Sequence, residues 1–111
     1  MKKTIHYSIC GLEYVFLKNA PVKMTKFGEV LDADSSAVEL EIAKQIILQG
    51  VPLRGAEVQF LRKVLSLSLD KFGKKIGLSA PAILKWEKAR KKRLQPINEV
   101  AVRALLAEDW V

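Results

Sequence analysis

Hydrophobic residues in the second half of the chain repeat at helical spacing in two short blocks. Leu69, Phe72 and Ile76 are three and four residues apart, so the first block predicts a helix with one apolar face. Ile83 and Trp86, three residues apart, predict the inward face of a second helix. The pattern therefore predicts two short helices that pack together, with Trp86 in the core rather than on the surface as a platform for nucleobases.

The residues around these two blocks are of the kinds that begin and end helices. Ser68 and Ser79 can each accept a hydrogen bond from an N–H group of a first turn, so we expect them to cap the two helices. Pro81 suits the first turn of the second helix, where its missing N–H group is not needed. Gly77 can adopt the left-handed conformation that ends a helix, and the small Gly73 lets the two helices approach closely. These features predict a helix-turn-helix.

A further helix is predicted before this unit. Ser36 and Glu39 form a capping-box pattern, which predicts a helix that runs to about Gln49. Gly50 is expected to end the helix, and Pro52 prevents its continuation. The apolar stripe of this helix is predicted to consist of Val38, Ile42 and Ile46.

Two more helices are predicted on either side of the helix-turn-helix. One covers residues 56–65 and the other begins at Pro96, a residue that suits the first helical position. The inward-facing residues of the first are expected to be Val58, Leu61 and Leu65. Those of the second are expected to be Ile97, Val100, Ala101 and Leu105.

The N-terminal part of the chain has the pattern of a small sheet. Residues 12–18 alternate and are rich in aromatic and branched side chains, which predicts a strand. Residues 19–21, Asn-Ala-Pro, predict a turn, and residues 22–26 predict the partner strand of a hairpin. Residues 28–34 are a candidate for a short third strand.

These elements predict an α+β fold that is mainly α. Residues 1–50 are expected to form a small β-hairpin or sheet plus a helix, and residues 51–111 a helical helix-turn-helix domain. Apolar residues lie on both faces of the first predicted strand, more than one short helix can cover. We therefore expect residues 1–50 to mediate dimerisation or partner binding.

The net charge of +7 is concentrated in one region. Residues 54–93 contain twelve basic and three acidic residues, a net charge of +9, so the rest of the chain carries −2. A basic run alone is typical of a solvated surface, but its coincidence with a predicted helix-turn-helix favours a polyphosphate partner.

Other chemistry is sparse in the sequence. The single cysteine, Cys10, excludes an intrachain disulfide and a paired-cysteine zinc site. The single histidine, His6, lies four residues before Cys10, and two such residues on a strand are an incidental pair rather than a metal site. Because there is also no Gly-rich phosphate loop, we expect no enzymatic activity and no cofactor. The absence of a long apolar run predicts a soluble cytoplasmic protein with no membrane association.

The helix-turn-helix window resembles the Xre, or lambda-repressor-like, family of transcriptional regulators. The residues that match the family pattern are Leu67, Ser68, Leu78, Ser79, Ile83, Trp86 and Glu87, with Phe72, Gly73 and Ile76 at its leucine, alanine and leucine positions. The resemblance implies a lambda-repressor-like bundle whose second helix enters the major groove of DNA. Three positions depart from the pattern, because Leu69 replaces a glutamine and Ala80 and Pro81 replace polar residues that often contact bases.

A wider and looser resemblance links the chain to small bacterial regulators that carry a β segment and a helix ahead of an Xre unit. The residues that carry it are Cys10, Gly11, Leu12, Val15, Leu17, Asn19, Gly28 and the run from Gly55 to Arg62. The C-terminal part is similar to the DNA-binding domain of MqsA-type antitoxins. The paired cysteines of their zinc-binding piece are missing here, so the resemblance implies a possible toxin partner but no zinc.

The resemblance and the charge pattern together nominate a set of DNA-binding residues. Ala80 and Pro81 can offer only apolar contact, such as to a thymine methyl group. Lys85 is a candidate for hydrogen bonding to guanine, with a phosphate contact as the alternative. The basic loop after the second helix is expected to bind phosphates. The full set is Ser68, Ser79, Ala80, Pro81, Leu84, Lys85, Lys88, Arg90, Lys91, Lys92 and Arg93.

The sequence thus predicts a sequence-specific DNA-binding transcriptional regulator, a repressor that acts as a homodimer on a palindromic operator. Two alternatives remain open. One is an antitoxin that regulates its own operon while its N-terminal segment covers a toxin. The other is an interaction module that keeps the helix-turn-helix fold without binding DNA.

Overall fold

The computed structural model describes residues 2–8 and 11–110 of an α+β chain that is mainly α. Its elements are β1 (Lys2–His6), β2 (Phe16–Thr25), β3 (Gly28–Leu31), α1 (Ser35–Leu48), α2 (Gly55–Val64), α3 (Leu69–Ile76), α4 (Ala80–Lys88) and α5 (Pro96–Trp110). The chain divides into two compact units, Met1–Ile42 and Ala43–Val111, with the boundary inside α1. None of the helices in the described part of the chain is both long and apolar enough to span a bilayer.

The three strands form an antiparallel sheet in the order β1-β2-β3, and the predicted turn at residues 19–21 is wrong. Those residues lie inside β2, where the register against β1 shifts and Asn19 adopts a left-handed conformation with φ +55°. Asparagine tolerates this conformation, so the Asn-Ala-Pro sequence that predicted a turn forms a bulge within the strand instead. Pro21 cannot donate a hydrogen bond, but its carbonyl oxygen accepts one from the Asp32 N–H group at 2.8 Å.

The hairpin turn lies between β2 and β3. The Thr25 hydroxyl donates to the Gly28 carbonyl oxygen at 2.9 Å and accepts from the Phe27 N–H group at 3.2 Å. Gly28 has φ +106°, which a glycine adopts without a steric penalty. The predicted third strand, residues 28–34, is confirmed in part, since β3 ends at Leu31. The first predicted strand, residues 12–18, begins too early, because residues 12–15 precede β2. Strand β1 was not predicted.

Helix α1 has the predicted extent but a different cap. The Asp34 carboxylate accepts a hydrogen bond from the Ser36 N–H group at 3.1 Å, so the capping box assigned to Ser36 and Glu39 is wrong. Glu39 instead accepts a hydrogen bond from the hydroxyl of the buried Tyr7 at 3.4 Å. Within the predicted stripe, Ile42 and Ile46 are buried and Val38 is half-buried.

The predicted helix-turn-helix boundaries are confirmed. The Ser68 hydroxyl accepts from the Lys71 N–H group at 3.1 Å at the start of α3. Gly77 ends α3 with φ +78°. The Ser79 hydroxyl then accepts from the Ala82 N–H group at 3.4 Å at the start of α4.

Two glycines allow the helices of the second unit to pack closely. A Cβ atom at Gly73 in α3 would lie 2.3 Å from the Leu78 carbonyl oxygen, which confirms the need for a small residue there. A Cβ atom at Gly55 in α2 would lie 2.0 Å from the Trp86 carbonyl oxygen of α4. The absence of a side chain at Gly73 therefore allows the turn between α3 and α4, and its absence at Gly55 allows α2 to approach α4.

The inward face of α5 differs from the predicted one. Ile97 and Val100 are 78% and 65% exposed, whereas Val102 and Leu106 are fully buried. Ala101 is also exposed and Leu105 is half-buried. The helix carries apolar residues on more than one face, so its periodicity does not select the face that packs.

Elsewhere in the second unit the predicted core is closer to the observed one. Val58 and Leu61 of α2 are fully buried, and Leu65 is half-buried just beyond the helix end. Ile83 of α4 is fully buried, but Trp86 is only half-buried and lines a surface cavity.

Candidate nucleic-acid interface

Helix α4 presents one face to solvent and buries the opposite one. Ile83 is fully buried and Glu87 is 3% exposed, four residues apart along the inward stripe. The outward face holds five of the nominated DNA-binding residues, and all of them except the half-buried Ala80 are exposed: Ala80, Pro81, Leu84, Lys85 and Lys88. Their spacing of three and four residues places them side by side, as insertion into a groove requires.

A buried ion pair holds α4 against α2. Arg62 Nε and Nη2 donate to the two carboxylate oxygens of Glu87 at 2.6 and 2.9 Å. Arg62 Nη1 also donates to the Leu67 carbonyl oxygen at 2.9 Å, just before α3. The hydrogen bonds that Arg62 donates to Glu87 raise the pKa of the Arg62 guanidinium above its usual value. One arginine thus ties together three parts of the helix-turn-helix unit.

In the sequence, Arg62 is one of twelve basic residues between positions 54 and 93, and no partner was predicted for it. A glutamate on the buried face of α4, four residues after Ile83, was the available signal that a cation must lie opposite. That signal does not identify the cation, because twelve basic residues occur in the same region.

The basic loop between α4 and α5 is ordered by its backbone. Carbonyl oxygens of Lys92 and Arg90 accept hydrogen bonds from the Gly55 and Ala56 N–H groups at 3.3 and 3.1 Å. The Leu94 N–H group donates to the Leu53 carbonyl oxygen at 2.8 Å. These bonds satisfy the first N–H groups of α2 and leave the side chains of Lys91 and Lys92 exposed.

Arg93, predicted to contact phosphate, is bound by a carboxylate. Its Nε and Nη2 atoms donate to the two Glu99 oxygens at 3.0 and 3.1 Å, although its side chain remains 62% exposed. Glu99 also accepts from the Leu53 N–H group at 3.1 Å and pairs with Arg103 at 3.5 Å. The hydrogen bonds from Arg93 are the main reason that the pKa of Glu99 lies below its usual value.

Carboxylates or amides engage several other cations of the basic window. Arg54 forms a pair with the fully buried Glu57 at 2.7 Å, and Lys74 with Asp70 at 3.1 Å. Arg90 donates to the Gln59 side chain at 2.6 Å. Among the described residues, the exposed lysines around α4 that have no carboxylate partner are Lys71, Lys75, Lys85, Lys88, Lys91 and Lys92.

Lys71 and Lys75 were not among the nominated residues. They lie four residues apart on the exposed face of α3, which precedes α4 in the turn. Their spacing was the signal that could have identified them, since the first helix of such a motif crosses the phosphate backbone. Ser68 and Ser79, which were nominated, use their hydroxyl oxygens as helix caps.

Metal chemistry has no support in the described part of the chain. No group of three or more His, Cys, Asp or Glu residues there could hold a metal ion. Nε2 of His6 lies 2.8 Å from the Glu13 carbonyl oxygen, and its ring stacks on Phe16 at 4.7 Å. Its predicted incidental partner Cys10 lies outside the described residues.

Glu99 is expected to make stability depend on pH. The pKa of Glu99 is lower in the folded chain than in the unfolded one, so its contribution to the free energy of unfolding is fully present above the unfolded pKa. That contribution is lost as the pH falls through the folded pKa. Urea unfolding between about pH 7 and pH 3 should show that Glu99→Gln lowers the free energy of unfolding by about 1.5–3 kcal/mol near neutrality. The variant should also lose less stability than the parent protein as the pH falls. The exposed Glu108→Gln is the control, and an equal change in both variants would contradict the assignment.

Comparisons with protein-family models, with curated proteins and with solved structures gave no match to this chain.

Proposed function

We propose that this protein is a sequence-specific DNA-binding transcriptional regulator of the Xre type, acting in the cytoplasm as a repressor. The observation that carries the proposal is the outward face of α4, which is exposed and flanked by lysines that have no carboxylate partner among the described residues. An α-helix that presents small and apolar residues beside lysines fits the major groove, where cations meet phosphates and base edges.

The opposite side of α4 supports the same proposal. The ion pair between Arg62 and Glu87 and the close approach at Gly55 hold the helix rigidly while its outer face stays free. A helix positioned in this way loses little conformational freedom when it binds a groove. The alternative of a module that does not bind DNA leaves these lysines as a solvated surface and assigns no role to the exposed face of α4.

Selection from random duplex DNA with the purified full chain tests the function. We expect enrichment of one motif, with an affinity that falls steeply as salt is raised. Recovery of no motif, together with binding that is equally weak for every duplex, would contradict sequence-specific regulation. The symmetry of the motif also tests the homodimer, because a two-fold dimer selects a palindrome with half-sites about one helical turn apart.

The first unit offers surface for a protein partner. Met24 and Phe27 of the β2–β3 hairpin are 71% and 87% exposed, and Phe16 on the same strand is 58% exposed. Exposed apolar residues in one hairpin favour protein association. A second copy of the chain is the partner proposed here. The same observation favours the second candidate function, an antitoxin whose toxin covers this hairpin, and a neighbouring toxin-like reading frame would support it.

Replacement of both Lys91 and Lys92 by alanine should weaken binding to all DNA sequences similarly. These exposed side chains lie on a loop whose backbone is held by α2, so they can contact phosphates without reading bases. The slope of log K against log salt should fall by about one unit for each lost contact. Lys63→Ala, on α2, is the matched control. A changed base preference with an unchanged salt slope would contradict the prediction.

Replacement of Lys85 by alanine should relax the preference at one base pair in each half-site. Lys85 lies in the middle of the outward face of α4, where its ammonium group can reach guanine O6 or N7. The expected loss of discrimination is about 1–3 kcal/mol, measured as relative affinities for single-base variants of the selected motif. An unchanged motif with uniformly lower affinity would assign Lys85 to a phosphate instead.

A further inference from the structure

A cavity lies beside the C-terminal half of α4, where the loop to α5 turns back. Its volume is about 270 Å³, close to the lower end of the range of small-molecule pockets. Its lining comes from α4, the loop and the first turn of α5, namely Lys85, Trp86, Ala89, Lys92, Arg93, Leu94, Gln95 and Asn98.

The charge of the lining favours an anion. Lys85 and Lys92 have no carboxylate partner among the described residues, whereas Arg93 is engaged by Glu99 through two hydrogen bonds. No acidic side chain is among the residues that form the cavity wall. Two uncompensated ammonium groups beside a concave surface attract a negatively charged ligand.

The rest of the lining favours a ligand with an apolar body. Trp86, Ala89 and Leu94 form apolar wall, and Gln95 and Asn98 add carboxamides that can accept or donate hydrogen bonds. A single phosphate group would fill only a fraction of 270 Å³ and would gain nothing from the apolar wall. The combination of apolar wall and lysines fits a flat hydrocarbon ring that carries one carboxylate.

We propose that this cavity binds a small aromatic carboxylate, and that the bound ligand competes with DNA for Lys85. Lys85 belongs both to the cavity wall and to the outward face of α4. A ligand carboxylate that holds the Lys85 ammonium group withdraws it from the groove, and the negative charge repels the phosphate backbone. The competition rests on the proposed function, whereas binding of the carboxylate does not.

Binding is tested first without DNA, by calorimetry and by the NMR signal of the Trp86 indole N–H group. Trp110→Phe removes the other tryptophan and identifies this signal. Benzoate and 2-naphthoate should bind saturably and shift the Trp86 signal, and benzamide and inorganic phosphate should not. Lys85→Ala and Lys92→Ala should each weaken binding about tenfold, a loss of about 1.4 kcal/mol, and Lys63→Ala should not.

A variant that fills the cavity distinguishes binding inside the cavity from general attraction of a carboxylate to the lysines. Ala89→Leu keeps every lysine and should abolish carboxylate binding while leaving DNA affinity unchanged; Asn98→Leu is the second variant if Ala89→Leu does not fold. Equal binding of benzamide or phosphate, or binding that survives both fillings, would overturn the proposal.

Competition is then measured on the selected DNA motif. Added 2-naphthoate should raise the apparent Kd for DNA by the factor that its own Kd predicts, and the Ala89→Leu variant should not respond. Carboxylate binding without any effect on DNA affinity would overturn the competition and leave the DNA-binding function intact. Failure of the ligand-free protein to bind DNA would contradict the proposed function, while the calorimetric result would still decide the pocket.

Discussion

Replacement of Arg62 by methionine is expected to lower the free energy of unfolding by about 3–5 kcal/mol. The substitution leaves the Glu87 carboxylate, whose side chain is 2% exposed, without its cation, and leaves the Leu67 carbonyl oxygen without a donor. A small domain has only about 5–15 kcal/mol of stability, so a large part of the margin is lost. Chemical unfolding followed by circular dichroism measures the change, and DNA binding should weaken with it because α4 is no longer held.

The double variant and an exposed ion pair provide the controls. Replacing both Arg62 and Glu87 by methionine removes the unpaired charge, so this variant should recover much of the stability lost by Arg62→Met. Lys74→Met breaks an exposed pair with Asp70 on α3 and should cost at most about 1 kcal/mol. Similar losses in Arg62→Met and Lys74→Met would show that the buried bridge does not hold the unit together.

Replacement of Gly73 by alanine is expected to destabilise the protein, although the same change in an ordinary helix stabilises it by about 1 kcal/mol. A Cβ atom at this position would lie 2.3 Å from the Leu78 backbone oxygen, which cannot rotate away. The turn between α3 and α4 must then open, at a cost of about 1–3 kcal/mol net. Gly55→Ala should cost at least as much, because its Cβ atom would lie 2.0 Å from the Trp86 carbonyl oxygen.

Gly77→Ala separates this steric effect from backbone strain. Nothing lies within 4 Å of a Cβ atom at Gly77, but its φ of +78° is unfavourable for alanine by about 1–2 kcal/mol. We therefore expect Gly77→Ala to lower stability without changing DNA specificity, and Gly73→Ala to change both. A stabilised Gly73→Ala variant, measured by thermal unfolding, would contradict the packing described for α3 and α4.

These glycines illustrate which parts of the candidate site were predictable. The predicted caps at Ser68 and Ser79 and the left-handed Gly77 are confirmed, because each depends on residues only a few positions away. The exposed face of α4 followed from the same local periodicity. The closeness of Gly55 to Trp86 was not predictable, because thirty-one residues separate them along the chain.

The number of basic residues can be counted from the sequence, but the ion-pair partners of some of them depend on contacts between residues that are far apart along the chain. The sequence concentrates twelve basic residues between positions 54 and 93, and that concentration is a property of composition alone. The pairings of Arg62 with Glu87 and of Arg93 with Glu99 depend on how the helices pack. The sequence therefore could not show which of these cations have a carboxylate partner, such as Arg93, and which have none among the described residues, such as Lys71 and Lys75.

The sequence by itself determined the number, type and approximate bounds of the helices, since caps, breakers and 3.6-residue periodicity act within one or two turns. Only the tertiary structure decided which face of α5 is buried. Ile97 and Val100 and, on the opposite face, Val102 and Leu106 give that helix two apolar stripes. The second stripe is chosen because Glu99, on the same side, reaches the Leu53 N–H group and Arg93, and a buried carboxylate is stable only where such donors surround it.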